Sequence, residues 1–174
     1  MVAQLETFYQ TVSQVCFTLL GFWLIVLQTK YQEWSGKRER RRMIVNISLY
    51  FLLPGTMSLL AMLAIQATAI WRVAFLVTSA LGAIETAFML RSLWQREYVY
   101  WVAVLVRAIE LVLFALIAVV GLFPQMFNRF GLTALTVAGI VLTLIVVGGI
   151  ALMWIYLIAG VDASELAVAA EKPL

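Results

Sequence analysis

The sequence predicts an all-α polytopic membrane bundle of five transmembrane helices, with the N-terminus outside and the C-terminus inside. Three observations carry that expectation. The 174 residues are 64% hydrophobic and only 12% charged, with a mean hydropathy of +1.01. Soluble domains carry about 25% charged residues, so a soluble chain of this length has no interior large enough for this apolar surface. Apolar runs recur at about the 20-residue length that a helix needs to cross a bilayer. They lack the period-2 alternation of barrel strands, and lipid admits only helices or closed barrels. The basic residues, finally, cluster on alternate connections.

By length and hydropathy the spans run roughly 7–29, 43–67, 70–94, 98–122 and 132–158, in one transmembrane domain followed by a short cytoplasmic tail at 159–174. No basic residue precedes the first apolar run and no small-residue cleavage site follows it, so span one is expected to be retained. The first connection holds Lys30, Lys37, Arg38, Arg40, Arg41 and Arg42. The connection between spans three and four holds Arg91 and Arg96, and the tail holds Lys172. The opposite side holds only Arg72 and Arg129, so the positive-inside rule places the first set in the cytoplasm. Only an odd number of spans keeps all these basic segments on one side. Tyr31, Trp34, Trp94, Tyr98, Tyr100, Trp101, Trp154 and Tyr156 fall near the inner ends, and Tyr9, Trp71 and Phe127 near the outer ends, as headgroup anchors do. Spans two and three join through a tight connection at 66–70. Spans four and five join through FPQMFNRFG, punctuated by Pro124 and Gly131.

Charge inside the spans is the feature that calls for explanation. Glu85, Arg107 and Glu110 lie where an ion costs from about 2.5 kcal/mol upward. Glu85 is nine residues from the inner end of span three, and Arg107 nine from the inner end of span four, each about 13 Å deep. Glu110 is one turn from Arg107 on the same face. The depth match predicts a Glu85–Arg107–Glu110 cluster in which two acids share one base. It carries a net negative charge or holds a proton on one glutamate. Such a cluster either locks spans three and four together or lines a path for cations or protons.

Other faces carry weaker signals. Gln10, Gln14, Thr18 and Gly21 recur at helical spacing on span one, as a pore wall or as interhelical hydrogen-bonding groups. Thr78, Gly82 and Glu85 share a face of span three, and Thr136, Gly139 and Thr143 one of span five, followed by Gly148 and Gly149. Small residues at such spacing permit close helix approach. Pro54 and Gly55 interrupt span two as a kink or a gate, with Thr56 and Ser58 placed to bond the freed carbonyls. The run 37–42, and Arg40, Arg41 and Arg42 within it, fixes topology and suits anionic lipid headgroups.

Several function classes lose support. There is no histidine, so imidazole metal sites, His-ligated haem and His-based catalysis are excluded. All three lysines lie outside the spans, which excludes a retinal Schiff base. No phosphate loop, potassium-filter sequence or arginine ladder is present, and Cys16 is the single cysteine. No enzyme, metal, cofactor or nucleic-acid role is expected. The expectation is an oligomeric channel or transporter for cations or protons, working as a homo-oligomer in a plasma or inner membrane. Two alternatives stand beside it. One is a non-conducting subunit or regulator that binds a partner protein; the other is a lipid-binding, membrane-structuring protein.

Overall fold

The computed structural model describes residues 2–34, 38–63, 68–94, 101–128, 131 and 133–170; within the helices, side chains are described only in part. Six helices follow in order: α1 Val2–Trp34, α2 Arg38–Leu63, α3 Thr68–Trp94, α4 Trp101–Leu122, the four-residue α5 Gln125–Asn128, and α6 Ala134–Ala170. Among the described residues there is no strand. Five segments are long and apolar enough to cross a membrane: Ala3–Thr29, Ile44–Leu63, Ala69–Arg91, Val104–Leu122 and Ala134–Ile155. The expected five-span, all-helical membrane architecture stands in these elements. The connections at 64–67 and 95–100 lie outside the described residues, as do Lys37 and Arg129.

Helices α2, α3, α4 and α6 close a four-helix ring, each packed on the next and α6 returning to α2. α1 lies outside the ring, packed mainly on α2 and more lightly on α6. α2 is the most enclosed span and α1 the least. The main core, with Tyr50, Met57, Phe75, Phe114, Ile117, Leu142 and Ile145, fills the ring. A second group, Trp23, Ile47 and Phe51, seals α1 against α2.

Glycines set the closest approaches. A Cβ on Gly55 would stand 3.2 Å from the Cys16 Cβ, so Gly55 marks the α1–α2 crossing. A Cβ on Gly139 would stand 2.7 Å from the Phe8 ring, which seats the start of α1 on α6. Tyr9 fixes the same corner by donating its hydroxyl to the Leu135 carbonyl at 2.6 Å. Thr133 caps α6: its hydroxyl accepts the Thr136 N–H at 3.2 Å. Gly131, with φ of 69°, makes the turn before that cap in a conformation that β-carbons disfavour.

At the far end of α4, Arg72 of α3 donates from Nε to the Gly121 carbonyl at 2.8 Å and from Nη2 to the Leu122 carbonyl at 3.0 Å. These are terminal carbonyls without intrahelical donors, and a cation suits the negative end of the helix dipole. Arg72→Met is expected to cost about 1–3 kcal/mol. Amide hydrogen exchange should rise in the last turn of α4 and stay unchanged in α2. Equal exchange in wild type and variant would remove the capping role.

Candidate functional site

Most hydroxyls in the spans are satisfied within their own helix. Thr7 donates to the Ala3 carbonyl, Thr11 to Thr7, Ser48 to Ile44, Thr78 to Ala74 and Thr143 to Gly139, all at i−4. Such bonds neutralise a polar group locally and ask nothing of a neighbour. Apart from Tyr9 and Arg72 at the helix ends, the described polar groups that bond between helices gather inside the four-helix ring.

There Arg107 and Glu110 of α4 are 0% and 1% exposed. Arg107 donates from Nη1 to the Tyr50 hydroxyl at 2.9 Å, and its guanidinium carbon sits 5.0 Å from the Tyr50 ring centroid. Tyr50 is not its whole set of partners. The Tyr50 hydroxyl also shares a 2.9 Å hydrogen bond with the Thr86 hydroxyl of α3. One tyrosine thus ties α2, α3 and α4 together. Glu110 lies beside Arg107 and within interaction range of the Tyr50 hydroxyl, yet neither of its buried oxygens meets full hydrogen-bond geometry. The room for this carboxylate comes from α6, where a Cβ on Gly148 would stand 2.7 Å from Glu110 Oε1. A Cβ on the adjacent Gly149 would stand 3.0 Å from the Tyr50 Cβ. The glycine pair is a niche for the polar cluster.

Glu85 sits differently from the expected triad. It is half-buried, and the described hydrogen bond of Arg107 goes to Tyr50. Tyr50 of α2 occupies the bridging position that the depth argument gave to Glu85. Glu85 instead lines a crevice between α2, α3 and α4, with Asn46, Tyr50, Gly82, Thr86 and Phe114. Its water-accessible volume is only about 10 Å³. Asn46 is 1% exposed, and both its amide nitrogen and its amide oxygen lack partners.

The remaining expected residues lie apart from this centre. Gln10, Gln14, Thr18 and Gly21 are all exposed, on the outside of the bundle; the inward face of α1 is Tyr9, Ser13, Cys16 and Trp23. No lumen inside one chain is lined by that stripe. Pro54 and Gly55 are buried at the α1–α2 crossing. Thr56 donates to the Leu53 carbonyl and Ser58 Oγ has no partner, so neither takes up the Tyr50 carbonyl that Pro54 leaves without its usual donor. Arg40, Arg41 and Arg42 belong to the first turns of α2, and their side chains lie outside the described residues.

Sequence reasoning passed over Asn46, Tyr50 and Thr86. A signal was present: Asn46 and Tyr50 stand at i and i+4 well inside span two, where a polar face needs a partner. No protein-family model matches this chain, and no curated protein or solved structure matches it.

Proposed function

We propose that this is a membrane transport protein for protons or small cations, with Glu110 as the buried exchanging group. The observation that carries the reading is a buried carboxylate inside a four-helix ring, beside a buried arginine and a tyrosine hydroxyl, with neither oxygen in a hydrogen bond of full geometry. A purely structural glutamate at this depth would have both oxygens bonded, because an unsatisfied acceptor in a dry interior costs about 1–3 kcal/mol. Intramembrane carboxylates of this kind mark proton relays and ion paths. The positive-inside bias puts the site in the cytoplasmic half of a plasma or inner membrane, with the N-terminus outside. The basic start of α2 gives that face an affinity for anionic lipid.

The test is proton uptake by proteoliposomes loaded with a pH-sensitive dye under a potassium-diffusion potential. Wild-type protein should acidify the lumen above empty vesicles. Glu110→Gln should cut the rate at least tenfold, and Glu110→Asp should retain part of it. Wild-type vesicles no leakier than empty ones to protons or alkali cations would end the reading.

A second reading rests on α1. Its exposed amides, Gln10 and Gln14, stand among exposed apolar neighbours such as Phe8, Val15, Phe17 and Phe22. In hydrocarbon an amide needs a protein partner. In the transport reading that partner is a second copy of the chain in a homo-oligomer. In the alternative it is a different membrane protein, for which this chain is a subunit or regulator. Crosslinking through Gln14→Cys separates them: a disulfide-linked dimer supports the first, and a heteromeric adduct with no dimer supports the second.

A further inference from the structure

We propose that the cargo is the proton alone, carried between Glu85 and Glu110 along the Thr86 and Tyr50 hydroxyls. This deepens the transport reading by choosing between protons and small cations. It rests on that reading for its direction, but the route can be measured without any flux.

The first argument is size. The crevice beside Glu85 has a water-accessible volume of about 10 Å³, and Leu49, Leu53, Gly82 and Phe114 form much of its wall. Room for a single water begins at about that volume, so a hydrated alkali cation does not fit. A proton needs no such room, because it moves by exchange of O–H bonds along a hydrogen-bonded chain.

The second argument is the hydroxyl pair. Ser48, Thr78 and Thr143 each donate to the carbonyl four residues back on their own helix. Thr86 is 1% exposed and bonds across helices instead, sharing a 2.9 Å hydrogen bond with the Tyr50 hydroxyl in which either oxygen can donate. Tyr50 also accepts from Arg107 Nη1 at 2.9 Å, and an arginine can only donate. A tyrosine hydroxyl has one proton and two lone pairs. With Arg107 on one lone pair, the Tyr50 proton goes either to Thr86 or toward Glu110, which lies within interaction range. When it goes to Glu110, the second lone pair receives the Thr86 proton. Passing between these two orientations is how a relay transfers a proton and resets.

The third argument is what stands at the ends. Glu85 is half-buried and is the one carboxylate among the described residues lining the crevice, which Thr86 and Tyr50 also line. Glu110, 1% exposed, sits inside the ring in the niche left by Gly148. In the transfer step the Tyr50 O–H proton goes to a Glu110 carboxylate oxygen. The Thr86 O–H proton goes to the Tyr50 oxygen, and the proton of the Glu85 carboxylic acid to the Thr86 oxygen. Three O–H bonds break and three form. Both hydroxyls end with one proton, Glu85 becomes a carboxylate and Glu110 an acid. The Arg107 guanidinium stabilises the negative charge that develops on the Tyr50 oxygen and opposes a positive one. Rotation of the two hydroxyls restores the starting orientation.

The experiment is infrared spectroscopy of the full chain in lipid. The Glu110 carboxylic acid C=O band, identified by its absence in Glu110→Gln, is followed after a switch from H2O to D2O. Thr86→Val, which keeps the shape and removes the hydroxyl, should slow exchange at this band at least tenfold. Thr86→Ser, which keeps the hydroxyl, should exchange within threefold of wild type. Glu85→Gln should slow exchange at least tenfold as well, and its half-buried position keeps the test intact if the valine variant fails to fold. Radioactive sodium uptake into wild-type proteoliposomes should not exceed that into empty vesicles. The proposal is overturned by sodium uptake, by absence of a Glu110 acid band at every pH where the protein stays folded, or by wild-type exchange in Thr86→Val or Glu85→Gln. Equal slowing in the serine and valine variants overturns it too, because packing rather than the hydroxyl would then set the rate. Glu110-dependent proton flux with wild-type exchange in Thr86→Val would overturn this route and leave the transport reading standing. Thr86-dependent exchange in a protein that passes no protons would end the transport reading, and the cargo with it, while the hydroxyl route stands.

Discussion

Arg107→Met should destabilise the protein by about 3–5 kcal/mol, the usual cost of removing one partner from a buried charged pair. The reason lies on α4. Arg107 is 0% exposed and Glu110, one turn further on, is 1% exposed. Neither Glu110 oxygen is in a hydrogen bond of full geometry, so the nearby guanidinium charge is its principal compensation. Methionine fills most of the arginine volume, which separates lost charge from lost packing. It also leaves the Tyr50 hydroxyl without the donor that now sits 2.9 Å away. The decisive comparison is the double variant Arg107→Met/Glu110→Gln. If charge compensation dominates, the second substitution restores more than half of the loss, because the orphaned carboxylate is gone. If Arg107 acts only as packing, the two losses add. Equilibrium unfolding in mixed micelles, followed by tryptophan fluorescence, reads both.

The architecture was legible in the sequence because it follows from a strong constraint. Lipid requires long apolar helices, and five such stretches stand out whatever their side chains do in detail. Glycine contacts were partly legible as well: small residues at helical spacing predicted close approach, and Gly82, Gly139 and Gly149 do meet bulky neighbours on other helices. The site was legible only as depth. Counting residues from span ends put Glu85 and Arg107 on one level. Rotation about each helix axis was not legible. Spacing alone does not say which face of a hydrophobic helix turns inward, because lipid and protein interior are equally apolar. Two expectations changed on that point. The Gln10–Gln14–Thr18–Gly21 stripe faces away from its own bundle, and Tyr50 stands against Arg107 where Glu85 was expected.

The same rotational freedom explains why Asn46 was missed. On a soluble helix, polar residues mark the outer face and apolar ones the core. In a membrane helix the sense is weakened or reversed, so Asn46 and Tyr50 point inward while Leu52 and Leu59 of the same helix face out. Reading α2 with that reversal groups Asn46, Tyr50 and the Pro54 interruption into one feature. Each would have looked incidental alone.

Gly82→Leu tests how tightly this feature is coupled to the packing behind it. An added Cβ at Gly82 would clash with the edge of the Phe114 ring, and Phe114 is 1% exposed, so the ring has little free space to enter. Its centroid is 6.3 Å from that of Tyr50, so a displaced ring presses on the residue that holds Arg107 and Thr86. Overpacking of this kind costs about 1–3 kcal/mol. Gly82→Ala should lie at the lower end, because alanine returns about 0.5–1 kcal/mol of helix preference, and Gly82→Leu at the upper end or beyond. Phe114→Ala should rescue the leucine variant by returning volume to the α3–α4 contact, while destabilising the wild-type protein through the cavity it leaves. That reversal of sign is the signature of a direct steric pair. The functional consequence follows from the same chain of contacts. If Tyr50 orders the site, Gly82→Leu lowers proton flux, and Phe114→Ala in that background recovers stability before it recovers flux. Full activity in a Gly82→Leu protein with a lowered unfolding midpoint would show instead that the polar cluster tolerates a displaced Tyr50.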